Sequence, residues 1–246
     1  MLQGKHVVGI DGCKAGWMAI DTINGQWNFG LFPDIESLFA AYENATTFLI
    51  DMPIGLIGQG PVGRACDTLA RRLLSPYRHT SIFTPPCRAA LYAAPSEASA
   101  INFQHTGKKL SQQSINIIPK IRELDTFLLQ QTPIIQARFI EAHPELIFCG
   151  LNKNQPLQAS KKTKEGIAKR LALVAQYFPI VKKLYANILQ STLRKAVLAD
   201  DIVDALGLAV AGVLAQQFPE NWKQIPFPLV YDSKGLPMRL GYYAVK

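Results

Sequence analysis

Over the first fifty positions the apolar residues fall into short blocks separated by turn signals. Val7 to Asp11 reads as an apolar strand that ends in an acid, Gly12-Cys13-Lys14-Ala15-Gly16 as a turn, and Trp17 to Asp21 as a second strand. Asn24-Gly25 is the dipeptide of a tight hairpin, which makes Trp27 to Phe32 the third strand. Pro33-Asp34 opens a helix through Tyr42 with Ile35, Leu38 and Phe39 on one face, and Thr47 to Asp51 follows as a fourth strand. A right-handed crossover lays that strand parallel to the first.

Residues 52–100 are rich in Pro and Gly and predict one short helix, Arg64 to Leu74; Pro76 to Arg88 reads as loop. Pro119 to Gln130 predicts a helix, and Ile134 to Glu141 a fifth strand continued by Ala142-His143-Pro144-Glu145. Two basic helices follow, about Thr163 to Phe178 and Ile180 to Leu193. Leu198 to Gln217 is the last long helix, and Leu229 to Tyr243 reads as a hairpin around Asp232-Ser233-Lys234-Gly235. The expected fold is an α/β, ribonuclease H-like mixed sheet of five strands, three antiparallel and then parallel, flanked by helices. The chain reads as a single domain, 1–246, with a loop-rich insertion at about 52–133.

With 246 residues and 48% hydrophobic content, the chain is long enough to bury a core without metal or disulfide staples. The longest apolar run, Ala205 to Ala215, is too short to span a membrane. The opening MLQGKHVVGID has no secretory pattern and reads as part of the fold. Cys13, Cys66, Cys87 and Cys149 are scattered without a C-x-x-C pair, which points to reduced thiols and a cytoplasmic location. The net charge of +8 is concentrated: nine Lys/Arg and one acid lie between Lys161 and Lys195. Such a block suggests a polyanionic partner such as nucleic acid, and equally describes the solvated face of two helices. Oligomeric state is not legible.

Two apolar strands each end in an acid, Asp11 and Asp51. If these strands are parallel neighbours, both carboxylates emerge at the same sheet edge, where open α/β sheets bind ligands. Asp201 and Asp204 share a face at the start of the last helix, whose small residues let it lie close to a sheet. Converging carboxylates repel unless a cation neutralises them, and hard oxygen ligands favour Mg²⁺ or Mn²⁺. A pair of such ions suits phosphodiester hydrolysis. Glu141 would be an accessory ligand or base, with His143 and Glu145 on the same side of an extended segment. Phosphate contacts are expected from Lys14, Lys161, Lys162 and Lys164, and from Arg64 and Arg88; those arginines could equally pair with carboxylates such as Asp67.

Several of these stretches resemble one family. Val8-Gly9-Ile10-Asp11-Gly12-Cys13-Lys14-Ala15-Gly16-Trp17 is similar to the opening motif of the family termed domain of unknown function 429. So are Ile50-Asp51-Met52-Pro53-Ile54-Gly55, Arg64-x-Cys66-Asp67, Phe83-Thr84-Pro85-Pro86-x-Arg88 and Pro119-Lys120-Ile121. Glu141-x-His143-Pro144-Glu145, Ser160-Lys161-Lys162-Thr163 and Asp200-Asp201-x-x-Asp204-Ala205 extend the likeness over most of the chain. The resemblance implies a ribonuclease H-like fold and nuclease activity, with Asp11, Asp51, Asp201 and Asp204 holding two Mg²⁺. No acid on the first helix faces such a site, so Glu141 could substitute. Two rival readings stand beside this one: a non-catalytic nucleic-acid or partner-binding module, and an actin-like phosphotransferase, for which a single copy of the fold counts against.

Overall fold

A computed structural model describes residues 6–245; the reading of residues 1–5 as part of the fold lies outside them. The strands β1 (Val7–Cys13), β2 (Gly16–Ile23) and β3 (Gln26–Phe32) form an antiparallel meander. Helix α1 (Ile35–Ala41) follows, its N-terminus capped where the Asp34 side chain accepts from the Ser37 N–H, and leads into β4 (Thr47–Ile50). The five-stranded sheet has the order β3-β2-β1-β4-β5, with β1, β4 and β5 parallel. This is the antiparallel-then-parallel arrangement expected from the sequence.

The segment between β4 and β5 carries more helix than its Pro and Gly content implied. It holds α2 (Ala65–Leu74), α3 (Arg88–Leu91), α4 (Ala98–Thr106), α5 (Gln112–Gln130) and α6 (Pro133–Arg138). Helix α5 begins earlier than expected because Ser111 caps it, leaving Pro119 inside the helix. The fifth strand is shorter than its apolar run suggested. Thr132 caps and Pro133 starts α6, so only β5 (Phe139–Glu141) remains extended. The continuation through Glu145 is not extended either: His143 caps α7 (Pro144–Leu151), again with Pro at the first helical position.

Helices α8 (Lys164–Ala175), α9 (Ile180–Ser191) and α10 (Ala199–Gln217) form where periodicity placed them. The terminal hairpin pairs β6 (Trp222–Ile225) with β7 (Leu240–Tyr243). Its first arm therefore lies upstream of Leu229, while Asp232 to Gly235 turns a minimal hairpin inside the connection, closed by the antiparallel bridge of Tyr231 with Pro237.

The sheet is buried on both faces, so successive strand residues enter different cores. Leu49 packs with Met18, Ile20 and the apolar faces of α7 to α10. Phe48 and Ile50 instead join Val8, Ile10, Trp17 and Phe139 against α1 and α5. That alternation decides which way each strand-end acid points.

Candidate active site

Asp11 lies two residues beyond Gly9, and Asp51 two beyond Leu49, so both carboxylates face α10. The parallel register pairs Ile10 with Ile50, and the Asp51 N–H donates to the Ile10 carbonyl at 3.0 Å, which sets the two acids side by side. Helix α10 approaches β1 backbone to backbone. A Cβ on Gly9 would stand 2.3 Å from the Ala209 nitrogen and 2.4 Å from the Ala205 oxygen, so only glycine permits this contact. The close packing carries the first turns of α10 to the strand ends and brings Asp204 to Asp11 and Asp51.

All three carboxyls are raised. Burial, then the charges of Asp51 and Asp204, hold the Asp11 pKa well above the carboxylate range. Burial pushes Asp51 up to about 8; Lys161 opposes this, and Asp204 adds to it. Asp204 is completely buried and also raised, by its burial, with Lys161 acting against the shift. One oxygen of Asp204, Oδ2, accepts from the Lys161 ammonium, while Oδ1 is buried without a hydrogen-bond partner. Burial disfavours the Lys161 charge, but Asp204, Asp11 and Asp51 more than offset it and keep the ammonium protonated. Asp201 sits at the rim, its Oδ2 accepting from the Leu198 N–H at 2.9 Å as a cap of α10.

These groups open on a cleft of about 1090 Å³. Asp11, Asp51 and Asp201 line it together with Lys14, Lys161 and Lys162, while Asp204 lies behind Lys161. The remaining expected site residues lie elsewhere. Glu141 pairs in register with Ile50 rather than Asp51, yet at the strand ends it lines a small second cavity with Asp51 and His143, and its charge adds to the rise of the Asp51 pKa. There it accepts from Arg64 at 2.6 and 2.8 Å and from the Ile54 N–H at 2.8 Å, and Arg64 also holds Asp67. Arg88 bonds Asp125 at 2.7 Å and also Asp232, so both arginines are engaged by carboxylates. Lys164 is an exposed residue of the first turn of α8, off the cleft wall.

The cleft also contains groups that charge patterning did not single out. Lys120 of α5 reaches across to donate to the Gly16 carbonyl at 2.5 Å, over the Trp17 ring; its only sequence signal was the Pro119-Lys120-Ile121 motif. His143 accepts the Glu145 N–H on Nδ1 at 3.2 Å, which leaves its proton on Nε2. Burial and the Lys161 charge lower its pKa to about 4, so the ring is neutral. Glu145 is locked onto the fully buried Arg170 at 2.7 and 2.8 Å.

The donor set suits a hard divalent cation: carboxylates only, raised pKa values that a cation would relieve, and an unpartnered Asp204 Oδ1. Among the described residues, however, no three His, Cys, Asp or Glu side chains gather as a metal-holding set. Mg²⁺ commonly uses one or two carboxylates plus waters and substrate oxygens, so Asp11 and Asp51 are the residues that would hold such an ion.

Fold and cleft together define an α/β protein with an acidic pocket, edged by lysines, at the carboxyl ends of its parallel strands. The chain belongs to the family described as protein of unknown function (DUF429), whose model matches residues 9–221. No curated protein and no solved structure matches it. No helix among the described residues is long and apolar enough to cross a membrane.

Proposed function

We propose that the protein is a phosphodiester hydrolase of ribonuclease H-like type that uses Mg²⁺ or Mn²⁺. The observation that carries this reading is the meeting of Asp11 and Asp51 in one lysine-edged cleft, with Asp204, from a third distant segment, behind Lys161. Asp11 and Asp51 would hold the cation, which when bound supplies charge neutralisation and a more acidic water. In the reaction the oxygen of water bonds to phosphorus, the ester P–O bond breaks, and the departing oxygen leaves with a proton. Lys14, Lys120, Lys161 and Lys162 face the cleft and would orient the phosphate, and the neutral His143 lines its wall. The block 161–195 is the proposed contact for nucleic acid. Three of its charges already serve internal pairs: Lys161 with Asp204, Lys169 with Glu165 and Arg170 with Glu145. The exposed Lys162, Lys164, Lys182, Lys183, Arg194 and Lys195 remain for a partner. The four buried, free thiols support a reducing, cytoplasmic setting.

The test is cleavage of single-stranded and duplex DNA and RNA oligonucleotides by the full chain with Mg²⁺ or Mn²⁺. Turnover that chelation stops and Asp11→Asn lowers by about 10³-fold or more is the expected result. Binding that survives Asp11→Asn with no turnover in the wild type would convert the reading to that of a non-catalytic binding module.

A further inference from the structure

Three of the acids around Asp11 and Asp51 are already paired with cations, while Asp201 at the rim is not. Glu141 belongs to Arg64 and Glu145 to Arg170, while Asp204 carries Lys161. The segment that bears Lys161 is pinned along its length. Arg78 donates to the Leu157 and Gln158 carbonyls, Arg170 donates to the Ala159 carbonyl at 2.9 Å, and Thr163 donates through its N–H and its hydroxyl to the Ser160 carbonyl at 3.0 and 2.9 Å. Helix α8 presses on the same carbonyl so closely that a Cβ on Gly166 would lie 1.9 Å from it. Lys161 is thus held in position by its backbone as well as by its ion pair, with 32% of its side chain open to the cleft. The inner group of Asp11, Asp51, Asp204 and the Lys161 ammonium carries a formal charge of minus two, which one divalent ion balances, while Asp201 stands apart at the rim as the cap of α10.

We propose that Lys161 is the second positive centre of the site: one divalent cation is held by Asp11 and Asp51, and the ammonium anchored on Asp204 stands where a second ion would otherwise bind. The inference rests on the hydrolase reading and deepens it. An ammonium with one proton committed to Asp204 keeps donors for a phosphate oxygen in the cleft. It offers one charge where an ion offers two, and it needs no loading.

The test is the Mn²⁺ stoichiometry of the full chain, measured by calorimetry and electron paramagnetic resonance with Mn²⁺ alone. The wild type is expected to bind one ion with an isolated six-line spectrum. Lys161→Met, folded by circular dichroism, frees both oxygens of Asp204 and is expected to bind two ions with a spin-coupled signal. Its first ion should be tighter by about tenfold or more, because a cation next to the site is removed. Two ions on the wild type, or one ion at unchanged affinity on Lys161→Met, overturn the inference and leave the hydrolase reading standing. No ion on either protein overturns both.

Discussion

Asp51 and Glu141 end neighbouring parallel strands and look alike in the sequence, yet they meet opposite fates. Glu141 is in register with Ile50 and turns to the face where Arg64 and the Ile54 N–H satisfy it. Asp51 stands one position further on, turns to the α10 face and feels the Lys161 ammonium and the acids Asp204 and Glu141, with no guanidinium bonded to it. A one-residue offset in register thus separates a carboxylate that holds the fold together from one that burdens it. Buried acids kept without dedicated partners mark positions where something other than stability sets the residue.

The sharpest way to break the comparison is to remove the partner on the satisfied side. Arg64→Met leaves Glu141 and Asp67 buried and unpaired, and a stability loss of about 3–5 kcal/mol is expected in urea unfolding. Next comes the contact that gathers the unsatisfied side. Gly9→Ala forces β1 and α10 apart at a 2.3 Å clash, with an expected loss of about 1–3 kcal/mol and weakened Mn²⁺ binding by calorimetry.

Asp51→Asn should have the opposite sign to Arg64→Met. An acid whose folded pKa lies above its unfolded value binds more protons when folded, so its contribution to stability is present at low pH. That contribution is lost as pH rises from near the ordinary aspartate value of about 3.9 towards the folded value of about 8. Without divalent ions, the wild type is therefore expected to lose melting temperature across that window and Asp51→Asn to lose less, as read by thermal scans at several pH values. Mn²⁺ affinity should climb over the same window, because the ion displaces protons. The smallest effect belongs to the rim. Lys162→Ala is exposed and should change stability by no more than about 0.5 kcal/mol. Oligonucleotide binding should fall, with the salt slope reduced by about one.

The α10-facing half of this contrast was legible and the other half was not. Strand-end acids, hairpin signals and the small-residue helix are local patterns, and they suffice to bring Asp11, Asp51 and Asp204 together. The pairing of Glu141 with Arg64 is not local, since it depends on where β5 begins. That boundary moved because Thr132-Pro133 and His143-Pro144 are helix starts that override an apolar, β-branched run. Lys161 and Arg170 read as members of a solvent-facing basic block. They fold inward because each meets a buried carboxylate 43 and 25 residues away in the chain. Lys120 carried no charge pattern at all, being one lysine on an amphipathic helix whose turn toward Gly16 depends on tertiary packing.

The central proposal is that a divalent ion would complete the pair Asp11 and Asp51. Thermal unfolding at pH 8 over a Mg²⁺ titration, run on the wild type and Asp11→Asn side by side, tests it most directly. The melting temperature of the wild type should climb with ion concentration while that of the variant stays level. A flat wild-type curve, or equal climbs in both proteins, would contradict the account.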